Sequence, residues 1–192
     1  MRTASLKRQT KETDVSVTLN LDGKGEADIW TGVGFFDHML TALCVNGGFD
    51  LSVSVSGDLN VDCHHTVEDT GIVLGQAFKE ALKDSGPICR YGSAFIPMDE
   101  ALGFAALDVS NRPYLVFACD FKADKIGDMD TQMVEEFMRA FAFQAGITLH
   151  LKAEYGANDH HKAEALFKAL AHSLKAAVAL KEGETLSTKG VL

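Results

Sequence analysis

The chain has 192 residues, with 18 Lys plus Arg against 27 Asp plus Glu and a formal net charge of −9. That acidic balance, with no basic run longer than Leu6-Lys7-Arg8, speaks against a nucleic-acid partner, which needs a basic stripe. No apolar run approaches the roughly 18 residues of a membrane span, and the polar start "MRTASLKRQTKETDV" lacks the apolar segment of a secretory signal, so the expected location is the cytoplasm.

The four cysteines, Cys44, Cys63, Cys89 and Cys119, show no C-x-x-C spacing and are expected to be reduced thiols. Three prolines and no Ser- or Gly-rich linker point to one domain rather than two flexibly joined ones.

In chain order, "DVSVTLNLDGKGEADIWTG" alternates about Leu21–Gly25 and predicts a β-hairpin with a Gly-containing turn. "FFDHMLTALCVNGG" follows, with Phe36, Met39, Leu40 and Leu43 at helical spacing and Gly47-Gly48 as a stop. "LSVSVSG" has the period of a half-buried strand. "HHTVEDTGIVLGQAFKEALKDSG" carries the helical stripe Val67, Ile72, Val73, Ala77, Phe78 and Leu82.

"SAFIPMDEALGFAALDVSNRPYLVFACDF" predicts two or three strands, with a turn at Ser110–Pro113. "DTQMVEEFMRAFAFQAG" predicts a helix capped by Asp130 or Thr131. "ITLHLKAEYG" predicts a strand and "HHKAEALFKALAHSLKAAVAL" a long amphipathic helix. The order strand, strand, helix, strand, helix thus occurs twice.

The repetition extends to residues. An offset of 96 lays His64, His65 and Glu68 on His160, His161 and Glu164, and also Leu74 on Leu170 and Lys79 on Lys175. An offset of 98 lays His38 on Glu136 and Gly48 on Gly146, and one of 88 lays Glu12 on Glu100. The chain is expected to be α+β, one domain of two tandem-duplicated halves, about 1–92 and 93–192, with helices packed against sheets.

Adjacent helical residues point about 100° apart, whereas i+3 and i+4 neighbours share a face. His64 and His65 therefore cannot easily ligate one ion from a regular helix. Each can reach a different ion, with Glu68 one turn later. Imidazole with carboxylate suits Mn²⁺, Fe²⁺ or Zn²⁺. A single H-H-x-x-E block is weak on its own, but the same block at corresponding places in both halves points to a pair of metal sites. His150 and His172 lie outside the pattern and are read as surface residues. Arg90, Arg112, Lys168 and Lys189 are scattered along the chain; converging, they would suit a phosphate, as would the tail "STKGVL".

The stretches "FFDHML", "HHTVEDTGIVLGQA", "MDEAL", "RPYLVF", "HHKAEALFKA" and "STKGVL" resemble the imidazoleglycerol-phosphate dehydratases of histidine biosynthesis, from "KRQTKETDVSV" to the last residue. The resemblance implies helices between two four-stranded mixed sheets, and trimers assembled into homo-oligomeric shells of 24 subunits. It also implies two Mn²⁺ per active site at subunit boundaries, other divalent metals being possible. The implied ligands are His38, His64, His65, Glu68, His160, His161 and Glu164. Glu136 stands where the family commonly has His, in "VEEF" rather than "VEHF". Arg90, Arg112, Lys168, Ser187 and Lys189 match phosphate-holding positions, and Glu12 and Asp99 match polar residues near the glycerol and imidazole. Ala42 replaces a common Gln, and Cys63 a common Asp.

The implied reaction is dehydration of a small phosphate substrate, imidazole glycerol phosphate, to imidazole acetol phosphate, with two metals holding the ring as an imidazolate. Glu12 is the first choice as proton shuttle, with Glu68 and Glu164 as alternates. The competing expectations are a two-metal phosphate-ester hydrolase and a non-catalytic metal-binding assembly.

Overall fold

The computed structural model describes residues 1–183; Ser187 and Lys189 lie outside the described residues. The first half runs β1 (Thr3–Gln9), β2 (Thr13–Asn20), β3 (Ala27–Trp30), α1 (Gly34–Gly47), β4 (Asp50–Gly57) and α2 (His64–Leu82). The second half runs β5 (Tyr91–Met98), β6 (Ala101–Val109), β7 (Tyr114–Ala118), α3 (Gln132–Ala145), β10 (Ile147–Tyr155) and α4 (Asp159–Val178). A small hairpin, β8 (Lys125–Ile126) with β9 (Met129–Asp130), is inserted before α3. Among the described residues no helix is long and apolar enough to cross a membrane.

The two sheets have one topology, β1-β2-β4-β3 and β5-β6-β10-β7, each with two antiparallel pairings and a parallel one. The alternation seen in the sequence sets the inner faces. Val15, Val17 and Leu19 pair with Val55, Val53 and Leu51, all buried; in the second sheet Leu107 and Ala105 pair with Leu149 and Leu151.

The four helices fill the space between the sheets, and they pair across the halves, α1 with α4 and α2 with α3. Phe137 of α3 packs edge-on to Phe36 of α1 (5.2 Å) and stacks on Phe167 of α4 (5.4 Å). This buried aromatic cluster joins the two helix pairs into one core.

Three expectations are corrected. The first half opens with three strands, not two, as does the second, where two or three were expected. The expected hairpin across Leu21–Gly25 is absent: β2 pairs with β1 on one side and β4 on the other, and β3 lies beyond β4. Asp50, at the start of β4, accepts hydrogen bonds from the amides of Lys24 (2.7 Å) and Glu26 (3.1 Å), tying the β2–β3 loop over the inserted strand. Gly23 permits this approach, since a Cβ there would lie 2.2 Å from the Asp50 nitrogen.

The third correction concerns α3. Thr131 occupies its N-cap position but makes no side-chain cap; its hydroxyl donates to the Ala123 carbonyl at 2.9 Å. The expected stop of α1 does occur, with Gly48 left-handed at φ 68°, and its repeat partner Gly146, at 71°, closes α3 at the corresponding place.

The start of α1 is held from the other half. Asp128, in the β8–β9 turn, accepts from the N–H groups of Gly34 (2.6 Å) and Phe35 (3.0 Å). Burial pushes its carboxyl up, but these amide hydrogen bonds outweigh that and hold it below the ordinary value of 3.8. A lowered folded-state pKa means the stabilisation is complete above that value and is lost as pH falls below it. Asp128→Asn is therefore expected to lower Tm at neutral pH and to flatten its decline below about pH 4, measured by thermal melts across that range.

Candidate metal centre

Both H-H-x-x-E blocks open a helix. At α4 the side chain of Asn158 accepts from the amides of His160 (2.9 Å) and His161 (3.4 Å). It is an N-cap that fixes the first turn carrying both imidazoles. At α2 the His64 amide donates to Asp62 at 2.8 Å.

Helical geometry then separates the adjacent rings. The His64 and His65 centroids are 6.1 Å apart with planes at 68°, and the His160 and His161 centroids 6.1 Å apart with planes at 81°. The first histidine of each block shares a face with its glutamate at i+4, while the second points elsewhere.

Two three-donor groups result, each with ligand-capable atoms within 4.8 Å of one another. The first joins His38 of α1 to His160 and Glu164 of α4. Glu164 Oε2 lies 3.4 Å from His38 Nε2 and 3.2 Å from His160 Nε2, while Oε1 accepts from Lys168 Nζ at 2.7 Å. Phe35 packs edge-on to His160 at 5.1 Å. Burial raises the Glu164 carboxyl, but the Lys168 hydrogen bond and charge leave it below its ordinary value.

The second group joins Glu136 of α3 to His64 and Glu68 of α2. His64 Nε2 is 3.5 Å from Glu68 Oε2, and Arg139 is ion-paired to Glu136 and lies 3.6 Å from Glu68 Oε1. Each group therefore draws one donor from a first helix and two from the second helix of the opposite half. The donor chemistry suits a divalent first-row cation.

His65 and His161 belong to neither group, yet their surroundings match. His65 Nδ1 meets Asp58 at 3.0 Å, and His161 Nδ1 meets Glu100 at 2.7 Å. The Nε2 of His65 faces Glu12 at 3.8 Å, and that of His161 faces Asp99 at 3.7 Å. Hydrogen bonds donated to Asp58 and Glu100 raise the two imidazole pKa values, and the bond from His161 holds Glu100 down to about 2. A carboxylate on Nδ1 fixes the ring and leaves Nε2 for a metal or a substrate. Asp58 comes from the segment after β4, whereas Glu100 comes from the β5–β6 turn. Equivalent geometry thus arises at positions the repeat does not relate.

Of the expected phosphate-binding residues, the three among the described residues do not converge within one chain. Arg90, with φ 73°, and Arg112 both reach Asp108, at 2.7 and 3.4 Å, beside the start of β5. Lys168 sits by Met98 at the far end of that strand, Nζ to Sδ 3.6 Å, roughly 20 Å away at the usual rise per residue. Ala42 is buried, and the buried Cys63 has its Sγ 3.7 Å from Asp130. A cavity of about 860 Å³ opens near the C-terminal end of α2, lined by Lys79, Ile88, Asn111 and Gln144. It contains none of the histidines, and the donor geometry rather than cavity size locates the chemistry.

Asp58 and Arg139 were not singled out from the sequence. Glu100 carried a signal, being the repeat partner of Glu12. For Arg139 the usable signal was its i+3 spacing from Glu136 on a helix.

A family model described as imidazoleglycerol-phosphate dehydratase matches residues 31–174. The chain is 56% identical to the imidazoleglycerol-phosphate dehydratase of Phenylobacterium zucineum over 194 residues, covering 100% of this chain and 99% of that one. Identity to the Acetivibrio thermocellus dehydratase is also 56%, with the same coverage. The crystal structure of the Staphylococcus aureus dehydratase superposes with TM-score 0.85 at 38% identity, covering 93% of this chain and 99% of that one. That of IGPD from Pyrococcus furiosus gives TM-score 0.85 at 37% identity, with coverage of 97% and 100%.

Proposed function

Because the chain belongs to the imidazoleglycerol-phosphate dehydratase family, we propose that it works with two divalent cations, Mn²⁺ foremost, in removing water from imidazole glycerol phosphate to give imidazole acetol phosphate. It is a hydro-lyase of histidine biosynthesis. The observation that carries the two-metal part is the pair of His/Glu groups, built alike across the halves.

His38, His160 and Glu164 would hold one ion and His64, Glu68 and Glu136 the other. When bound, the ions supply Lewis-acid polarisation of the substrate's ring nitrogens. The remaining work falls to side chains. A carboxylate takes the proton from the middle carbon of the side chain, the hydroxyl on the carbon beside the ring leaves with a proton as water, and the resulting enol tautomerises to the ketone on the middle carbon. Glu12 is favoured for proton transfer because it is half exposed beside His65, whereas Glu164 is buried and tied to Lys168. Asp99 is placed alike beside His161.

Arg90, Arg112, Lys168, Ser187 and Lys189 are proposed to anchor the phosphate, which orients the leaving hydroxyl. The separation of Arg90 from Lys168, and the placement of His65 and His161 outside both groups, support sites completed between copies of the chain. Trimers assembled into a 24-subunit shell, in the cytoplasm, complete the proposal.

Purified protein should form the acetol product, lose that activity on chelation and regain it with added Mn²⁺. No metal-dependent product would sink the two-metal reading, and release of inorganic phosphate would favour a hydrolase. A stable monomer by light scattering would remove the shared-boundary sites.

A further inference from the structure

We infer that the two cation sites are unequal in kind: the site between α1 and α4 is nitrogen-rich, and the site between α2 and α3 is oxygen-rich, with Arg139 facing both of its carboxylates. The inference rests on the two-metal reading and concerns what each site selects. The first group offers two imidazoles and one carboxylate, the second one imidazole and two carboxylates. The remaining imidazoles of the repeated blocks, His65 and His161, would each add one nitrogen to whichever group they complete. The difference of one ligand therefore survives assembly.

The second carboxylate brings an extra negative charge, and one guanidinium faces both carboxylates. Arg139 pairs with Glu136 and faces Glu68 Oε1 at 3.6 Å. In the first group Lys168 plays the corresponding part on Glu164 Oε1 at 2.7 Å. In both groups the glutamate turns Oε2 to its histidine and Oε1 to a cation.

The repeat does not supply these cations: the positions matching Arg139 and Lys168 in the other half are Thr41 and Ile72. Arg139 therefore accompanies Glu136 rather than the duplicated pattern. A guanidinium shared by two carboxylates also competes with an incoming cation for the same oxygens. Nitrogen-rich sites gain more on passing from Mn²⁺ to Zn²⁺ than carboxylate-rich sites do, so the two sites should rank these metals differently.

The test is displacement of Mn²⁺ by Zn²⁺ from the assembled protein, read as the free Mn²⁺ EPR signal. Half of the bound Mn²⁺ is expected to leave at Zn²⁺ concentrations at least about tenfold lower than the other half. Glu136→His should merge the two phases. Should that variant misfold by circular dichroism, Arg139→Gln serves instead, and should tighten Mn²⁺ in the late phase only. A single phase in the unaltered protein overturns the inference, as does an unchanged profile in a folded Glu136→His, or a shift of the early phase in Arg139→Gln. Failure to bind two ions at all would instead sink the two-metal reading itself.

Discussion

Glu164→Gln is expected to lower turnover by about 10²–10³-fold, equivalent to several kcal/mol of transition-state stabilisation at about 1.4 kcal/mol per decade. Glu164 is 7% exposed, and its two oxygens serve three neighbours: His38 and His160 through Oε2, and Lys168 through Oε1. A glutamine keeps the shape but loses the charge. The first group then becomes two imidazoles and an amide, and the Lys168 ammonium loses its anionic partner. Metal content should fall by about half, because the second group shares none of these residues. Kinetics with metal analysis on the folded variant checks this; turnover within a few-fold of the parent at full metal content would remove Glu164 from the ligand set.

The largest stability effect is expected where α2 meets α3. Gly71 and Gly75 lie one turn apart on α2 and let it approach α3 closely. A Cβ at Gly75 would stand 2.6 Å from the Phe141 carbonyl oxygen and 2.8 Å from Gln144 Cβ; at Gly71 it would stand 2.9 Å from the Phe137 oxygen. The backbone atoms cannot rotate away, so the helices must separate. Alanine would recover about 1 kcal/mol of helix propensity, offsetting part of the strain.

Gly75→Val recovers less and fills more space, and should cost at least about 2–3 kcal/mol, or roughly 4–12 °C in Tm for a chain of this size. The same separation parts Glu136 from His64 and Glu68, so metal affinity should weaken at the second group and hold at the first. Calorimetry and Mn²⁺ titration test both consequences. Gly34→Ala is the control, its Cβ meeting only Asp128 Oδ2 at an ordinary 3.5 Å.

Much of the fold was legible where a local pattern reports a local fact. The period-two runs at Val15–Leu19 and Leu51–Val55 marked the buried strand faces, and the glycine at 48 marked a helix end. The duplicated block marked two helix starts, with adjacent imidazoles pointing apart. Strand neighbours were less legible. A polar edge strand such as Thr3–Gln9 carries little periodic signal, and nothing near Leu21–Gly25 announces that β4, thirty residues on, will lie between its flanking strands.

The site divides the same way. The sequence by itself determined which residues have metal-binding chemistry, and that His64 and Glu68, or His160 and Glu164, share a face, because helical spacing is a property of the backbone. Only the tertiary structure decided that His38 joins the block of the opposite half and Glu136 the other. It also decided that Asp58 and Glu100 reach the second histidines from unrelated segments, and that Arg139 faces both carboxylates of the second group. Those pairings depend on which helix faces pack together, which is set by burial over the whole core and leaves no mark in the spacing of neighbouring residues.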